Sequence, residues 1–291
     1  MPVPSVLLVI VSCFLHAWWN FVLKKAGGTT TFVALSKISE VVLFGIPFLV
    51  VLYVEKSPVE WGLVVVGAAL TLLNYVFLGK AYGSGNLSVA YPIARAGALV
   101  LLPVAGWLWQ RERLSPAGVG ALALIIAGVF LIQLRSFRNE DLLAGLQALG
   151  ARANIFAGLA AAMVAAYTLW DQHAVRRMNP FVYFYAYTLL VAAAYGIKLV
   201  TCEGISIARE EWRRNRSPIL QVGLLNTVTY LLVLLALKDG SATYTIALRQ
   251  LSIAFGAVLG WVVLREEAAI PKRIGVGLLV VGCIATALFR M

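Results

Sequence analysis

The chain has 291 residues, of which 61% are hydrophobic and 13% are charged, and its mean hydropathy is +0.88. A soluble domain is about half apolar and about a quarter charged, so this composition excludes a single water-soluble core. The net charge of +11 would suit a nucleic-acid-binding protein, but the basic residues stand in short blocks between apolar runs, so we expect no nucleic-acid partner. The three cysteines are isolated, and no Cys or His spacing indicates a metal site or a cofactor.

Ten apolar runs have the length that a helix needs to cross about 30 Å of hydrocarbon. We therefore predict an all-α integral membrane protein with ten transmembrane helices in a lipid bilayer. The predicted spans are 3–23, 31–54, 60–79, 87–109, 115–134, 154–173, 181–201, 217–237, 241–264 and 271–289. The first run lacks the basic start and the cleavage site of a signal peptide, which indicates a retained helix.

Basic residues are distributed unequally between the two sides of this predicted bundle. Seven of the 24 Lys and Arg residues fall on the side of the N-terminus, fourteen fall on the opposite side, and three lie inside spans. Cytoplasmic loops carry an excess of Lys and Arg, so we predict that both termini lie on the outer side. We expect the membrane to be a bacterial inner (plasma) membrane.

The two halves of the chain are similar when one is shifted by 154 residues. The six identities in register pair Arg95, Gly106, Trp107, Arg111, Glu112 and Gly128 with Arg249, Gly260, Trp261, Arg265, Glu266 and Gly282. We assign residues 3–134 and 154–290 to two five-helix repeats, which a cytoplasmic loop at 135–153 connects. An odd number of spans per repeat inverts the second copy, as in many secondary transporters whose sites lie near the membrane midplane.

Three stretches resemble a known family. They are HAWWNFVLKKAG in the first span, YPIARAGALVLLPVAGWLWQRERLSPAGVGALALIIAGV in spans four and five, and LRQLSIAFGAVLGWVVLREEAAIPKRIGVGLLVVG in spans nine and ten. Together they resemble the EamA-type members of the drug/metabolite transporter superfamily over nearly the whole chain, most specifically at Glu112 and Glu266. The resemblance implies a ten-helix carrier with a central cavity. Known members export amino acids and other metabolites, or move nucleotide sugars and lipid-linked sugars.

Arg95 and Arg249 each lie well inside a predicted span. An Arg at the centre of a membrane helix costs about 2.5–3.5 kcal/mol on insertion scales, and a partner normally offsets this cost. One interpretation is that both line the cavity and hold a carboxylate or phosphate of the substrate, for which the guanidinium is geometrically suited. The other is an internal ion pair with Asp171 or Glu40, or hydrogen bonds to carbonyls freed beside Pro92.

Further polar and aromatic side chains recur at helical spacing or at matching repeat positions. In hydrocarbon such polar groups must face protein or a water-filled cavity, so we expect them to line the site. The candidate substrate-binding residues besides the two arginines are Trp19, Asn20, Asn74, Tyr91, Trp170, Asp171, Asn226, Tyr230 and Tyr244. Asp171 and His16 are also candidates for proton coupling. The alternative is that the polar groups only hold the bundle together and that the aromatic residues anchor it at the interface.

These features favour transport over catalysis. The chain has no GxxxxGK[ST] loop that could hydrolyse ATP, so active transport would be secondary. It has no HExxH or GxSxG motif, and we expect no enzyme activity. We predict a secondary transporter that exports a small anionic or zwitterionic metabolite, with a flippase for a lipid-linked head group as the alternative. The cargo, the direction, the coupling and the oligomeric state, including a homodimer, stay open at this stage.

Overall fold

The computed structural model describes residues 2–56, 58–84, 87–134, 136, 152–263, 265, 267 and 269–288, and the side chains of 82–84, 87–92 and 152 lie outside this description. The regular structure in these ranges is helical. The helices are α1 (Val3–Lys25), α2 (Thr30–Glu55), α3 (Trp61–Ser84), α4 (Leu87–Gln110), α5 (Pro116–Gln133), α6 (Arg152–Val175), α7 (Pro180–Lys198, continued by a π-helical turn at Leu199–Glu203), α8 (Ile205–Asp239), α9 (Ala242–Arg249), α10 (Leu251–Val262) and α11 (Ile270–Leu288).

Ten helical segments in the described ranges are long and apolar enough to cross a membrane, with α9 and α10 together forming the ninth. This confirms the prediction of an all-α membrane protein with ten spans. Apolar composition explains the agreement, because every backbone N–H and C=O in hydrocarbon needs an internal partner and a helix provides it within one segment. The predicted connecting loop at 135–153 lies almost entirely outside the described residues.

The eighth span departs from the prediction because α8 begins at Ile205, well before the predicted start at 217. Its backbone leaves helical geometry at Asn215, where φ is −124° and ψ is 22°. Pro218 explains this kink, since it donates no amide hydrogen and its ring crowds the carbonyl of the preceding turn. The charged stretch 205–214 is thus a helix, which we call the surface helix.

The ninth span is interrupted near its middle. α9 ends at Arg249 and α10 begins at Leu251, with Gln250 in the turn between them. The break places Arg249 at a helix C-terminus, where the aligned peptide dipoles favour a positive charge.

α5 and α11 form the most extensive helix–helix contact in the described structure. A Cβ atom added to Gly128 would lie 2.7 Å from the carbonyl oxygen of Gly275, and one added to Gly282 would lie 2.9 Å from that of Ala121. The two contacts run in opposite order along the two helices, which are therefore antiparallel. A shift of 154 residues converts one contact into the other, as two inverted repeats would require.

Two further features follow the same shift. Arg111 and Arg265 both have left-handed backbones, with φ of 57° and 54°, just after the fourth and ninth spans. The next most extensive contacts join α3 to α6 and α8 to α1, which are equivalent pairs in the two halves. These observations support the inverted-repeat interpretation, which stays a prediction.

Candidate functional site

A cavity of about 420 Å³ lies between α1, α4, α5, α10 and α11, and we call it the vestibule. Its walls carry the cationic side chains of Lys24, Arg95 and Lys272, together with His16 and Asn20 of α1. Lys24 is exposed near the end of α1, so the mouth of the vestibule lies on the side that the charge distribution predicts to be cytoplasmic. Asn20 donates a hydrogen bond of 2.7 Å to the carbonyl oxygen of His16, which holds its amide against α1.

A second, smaller cavity of about 60 Å³ lies between α2, α3, α6, α7 and α8, and we call it the inner chamber. Its lining includes Lys37, Asn74, Tyr167, Asn226 and Tyr230. The amide oxygen of Asn74 is buried, and no donor reaches it within the described part of the chain. At roughly 30 Å³ per molecule, the chamber has room for about two waters or for one small polar group of a ligand.

The two intramembrane arginines lie close to both cavities. The charges of Arg95 and Arg249 both act on His16, which lines the vestibule, and on Tyr167, which lines the inner chamber. The Cζ atom of Arg249 lies 5.4 Å from the centroid of the Tyr230 ring, a cation–π distance. Both arginines therefore lie near one polar region between the two halves of the chain.

Asp171 lies behind the wall of the inner chamber and is 1% exposed. Its two carboxylate oxygens accept hydrogen bonds from the hydroxyl groups of Tyr183, at 2.7 Å, and Tyr230, at 2.5 Å. Gly67 makes room for this arrangement, because a Cβ atom there would collide with the Tyr183 hydroxyl. Asp171 thus contacts the chamber through Tyr230. Sequence reasoning missed Tyr183, since one tyrosine among several in an apolar span carries no distinguishing signal.

Lys37 and Glu40, three residues apart on α2, form an ion pair with 2.8 Å between Nζ and Oε1. Glu40 is 2% exposed, and Asn226 donates a 3.0 Å hydrogen bond to its Oε1 atom. The pair therefore connects α2 to α8 at the edge of the inner chamber, and the Glu40 carboxylate offsets the charge of the Lys37 ammonium.

Three other predicted site residues, Trp19, Tyr244 and Trp170, line neither cavity. Trp19 packs among apolar side chains of α2 and α8, and Tyr244 is buried at the start of α9. The indole N–H of Trp170 donates a 2.9 Å hydrogen bond to the carbonyl of Leu63. Tyr91 lies in α4 with its side chain outside the described part of the structure. In the described ranges, no three His, Cys, Asp or Glu side chains are grouped to hold a metal ion.

A hydrogen-bonded group at the opposite end of the bundle joins the two halves, and we call it the outer cluster. The carboxylate of Glu112 accepts hydrogen bonds from the hydroxyls of Ser241 and Thr243, the latter at 3.0 Å. Ser241 also caps α9 by accepting from the backbone N–H of Tyr244. Glu112 therefore ties the turn between α4 and α5 to the start of α9. Its repeat counterpart, Glu266, lies outside the described residues.

The chain is similar to known proteins in sequence and in fold. Residues 151–288 match the model of the EamA-like transporter family, and this range contains all of α6 to α11. A search of curated proteins finds no significant match. A crystal structure of another protein is similar over 98% of both chains, with a TM-score of 0.72 and 16% sequence identity, and this likeness shows the fold alone. The matched segment, residues 151–288, therefore belongs to the EamA-like transporter family, a family of membrane transporters in the drug/metabolite transporter superfamily.

Proposed function

We propose that this protein is a secondary transporter that exports a small anionic or zwitterionic metabolite through the vestibule and the inner chamber. The observation that carries this proposal is the position of Arg95 in the wall of the vestibule, with Lys24 and Lys272 in the same wall. A volume of about 420 Å³ falls within the range of roughly 300–1,000 Å³ that small-molecule sites occupy.

The arginines supply the anion-binding chemistry of the site. A guanidinium binds a carboxylate or a phosphate through two parallel hydrogen bonds, and these bonds are stronger in a low-dielectric site than in water. Arg95 lines the vestibule, and the charge of Arg249 acts on the same residues as that of Arg95. An anionic group that enters from the vestibule therefore meets the positive charges of both arginines.

The inner chamber favours a donor group at the other end of the substrate. Among the described residues, no donor reaches the buried amide oxygen of Asn74, and the rings of Tyr167 and Tyr230 present aromatic surface to a cation. A zwitterion with its carboxylate near Arg95 and its ammonium near Asn74 would satisfy both ends.

The hydrogen bond between Tyr230 and Asp171 provides a route for proton coupling. When Asp171 gains a proton, it accepts the Tyr230 hydroxyl less strongly, and the ring that faces Arg249 is released. We expect Asp171→Asn to retain exchange of substrate across proteoliposomes while losing accumulation driven by a proton gradient. Accumulation at the native level would assign coupling elsewhere, with His16 as the next candidate.

The substrate class is tested by ligand-dependent thermal stability of the detergent-purified protein. Anionic, zwitterionic and cationic metabolites are compared on the native chain, on Arg95→Gln, and on Arg177→Gln, which changes an exposed Arg away from the cavities. A ligand at 100 times its Kd stabilises the native state by about 2.7 kcal/mol, which raises the unfolding midpoint by several degrees. We expect anions or zwitterions to produce this shift in the native protein and in Arg177→Gln only.

Two outcomes would contradict the proposal. Stabilisation by cationic or lipid-linked compounds alone would overturn the substrate class, and an undiminished response of Arg95→Gln would show that Arg95 does not bind the cargo. Counterflow of the stabilising compound in proteoliposomes then tests transport itself.

A further inference from the structure

The surface helix, residues 205–214, reads ISIAREEWRR and combines exposed apolar and basic side chains. It begins after Gly204, whose φ of 93° turns the chain out of α7, and it ends at the kink at Asn215. Neither the vestibule nor the inner chamber includes any of its residues. The surface helix therefore belongs to neither cavity of the proposed transport site.

Two hydrogen bonds determine how the surface helix runs relative to α2. Glu203 accepts from the hydroxyl of Thr31, and Glu211 accepts from the hydroxyl of Thr29 at 3.3 Å. Glu203 lies just before the surface helix, and Glu211 lies about 9 Å beyond its first residue, Ile205, whereas the two threonines differ by only about 3 Å along the axis of α2. The surface helix therefore crosses the first turn of α2. Because α2 spans the membrane, the surface helix runs along the membrane surface, on the side predicted to be cytoplasmic.

One side of the surface helix is buried against the protein, and another is open. Ala208 is buried beside Ala34 and Leu199. Ile205 and Trp212 are 62% and 38% exposed.

The exposed apolar and basic residues are neighbours around the helix. At 100° per residue, Ile205, Arg209, Trp212 and Arg213 fall within an arc of about 100°, so that two apolar side chains adjoin two guanidinium groups. Of the acidic residues, Glu211 is turned toward the protein by its hydrogen bonds with Thr29 and Asn215, and Glu210 lies outside this arc.

We propose that this arc of the surface helix is a binding site for anionic phospholipid. Ile205 and Trp212 enter the boundary between head groups and acyl chains, and Arg209 and Arg213 bind the phosphate of the head group. The location favours lipid over a soluble partner, since a helix along the surface of the bilayer meets lipid first and Trp prefers that depth. Each Lys or Arg near an anionic membrane surface strengthens the electrostatic attraction of the protein to that surface. The proposal is independent of the cargo.

Lipid binding at this position bears on the transport site through α8. The same helix continues from the surface helix, through the kink at Asn215, to Asn226 and Tyr230 in the wall of the inner chamber. A lipid that holds the surface helix therefore limits the positions that α8 can take, and we expect it to raise the stability of the folded protein.

The test is the thermal stability of the purified protein in a neutral detergent during titration with phosphatidylglycerol, phosphatidylcholine of the same acyl chains, or water-soluble glycerol phosphate. The variants are R209Q/R213Q, the charge-retaining R209K/R213K, and R176Q/R177Q as a matched exposed pair at the opposite end of the bundle. We expect phosphatidylglycerol to stabilise the native protein at lower concentration than phosphatidylcholine. Loss of two arginines should raise the required phosphatidylglycerol concentration about 30-fold in R209Q/R213Q, whereas R209K/R213K and R176Q/R177Q should respond like the native protein.

Three results would overturn the proposal. Equal stabilisation by phosphatidylcholine would remove the role of charge, and equal stabilisation by glycerol phosphate would indicate a site for soluble anions. A native response in R209Q/R213Q would assign the surface to another occupant, such as a soluble protein.

Discussion

The close crossing of α5 and α11 predicts a large difference between two alanine variants of one helix. In Gly128→Ala, the new methyl group would stand 2.7 Å from the carbonyl oxygen of Gly275 and 2.8 Å from the amide nitrogen of Leu279. Both are backbone atoms, so no side-chain rotation relieves the overlap. The same methyl group would stand 2.9 Å from the Cβ atom of Leu279, and since carbon atoms in contact rest about 3.5–4.0 Å apart, the helices would have to separate by roughly 0.6 Å or more.

Gly120→Ala provides the matched control, because a Cβ atom at Gly120 of α5 meets nothing within 4 Å. Both variants gain the same helix propensity, about 1 kcal/mol, so their difference isolates the overlap. Overpacking of this kind costs about 1–3 kcal/mol, which corresponds to a difference of about 2–12 °C in unfolding midpoint.

Thermal unfolding of the purified variants in one detergent, followed by the fluorescence of the eight tryptophans, measures this difference. We expect Gly128→Ala to unfold well below Gly120→Ala, and Gly275→Ala to unfold below Gly277→Ala in the same way, since Gly277 also faces open space. Midpoints that agree within about one degree for both pairs would show that α5 and α11 do not cross this closely.

Five further substitutions test three polar contacts through the same unfolding midpoint. Glu112→Gln should lower the midpoint by weakening charge-assisted hydrogen bonds. Gly106→Ala should also lower it, because its Cβ atom would lie 2.7 Å from Oε2 of Glu112. An unchanged midpoint in both variants would show that the outer cluster does not stabilise the protein. Glu40→Gln should cost about 3–5 kcal/mol by leaving the Lys37 ammonium without its counter-charge, and adding Lys37→Met should restore part of that loss. Trp170→Phe should cost about 1 kcal/mol for one hydrogen bond and leave ligand binding intact; loss of binding would return Trp170 to the site.

Hydropathy predicts the ten spans well because lipid requires a spanning segment to be predominantly apolar along its whole length. It misses the surface helix, since this segment is short and its charged residues, such as Arg209, keep its mean hydropathy low despite Ile205 and Trp212. It also misses the break after Arg249, because where a helix ends inside a bundle depends on neighbouring helices.

The candidate site was only partly predictable because the sequence gives helical faces without their direction. Trp19 and Asn20 were expected together, but adjacent residues of a helix point about 100° apart, and only Asn20 lines the vestibule. Trp170 and Asp171 are also adjacent, yet Trp170 bonds to Leu63, whereas Asp171 accepts from Tyr230 in the wall of the inner chamber. The ion pair between Lys37 and Glu40 follows from their spacing on α2 alone, because residues three apart on one helix are neighbours whatever surrounds them.

The outer cluster also has a consequence for the energetics of a transport cycle. It joins the two halves at the end of the bundle opposite the mouth of the vestibule, so a carrier that opens alternately to the two sides must separate Glu112 from Ser241 and Thr243 in every cycle. Hydrogen bonds to a charged group contribute about 1.5–3 kcal/mol each, so two of them favour the vestibule-open form by a factor on the order of 10² to 10⁴. The empty protein would therefore rest with its vestibule open, and cargo that binds more tightly to the opposite form would supply the energy that releases it.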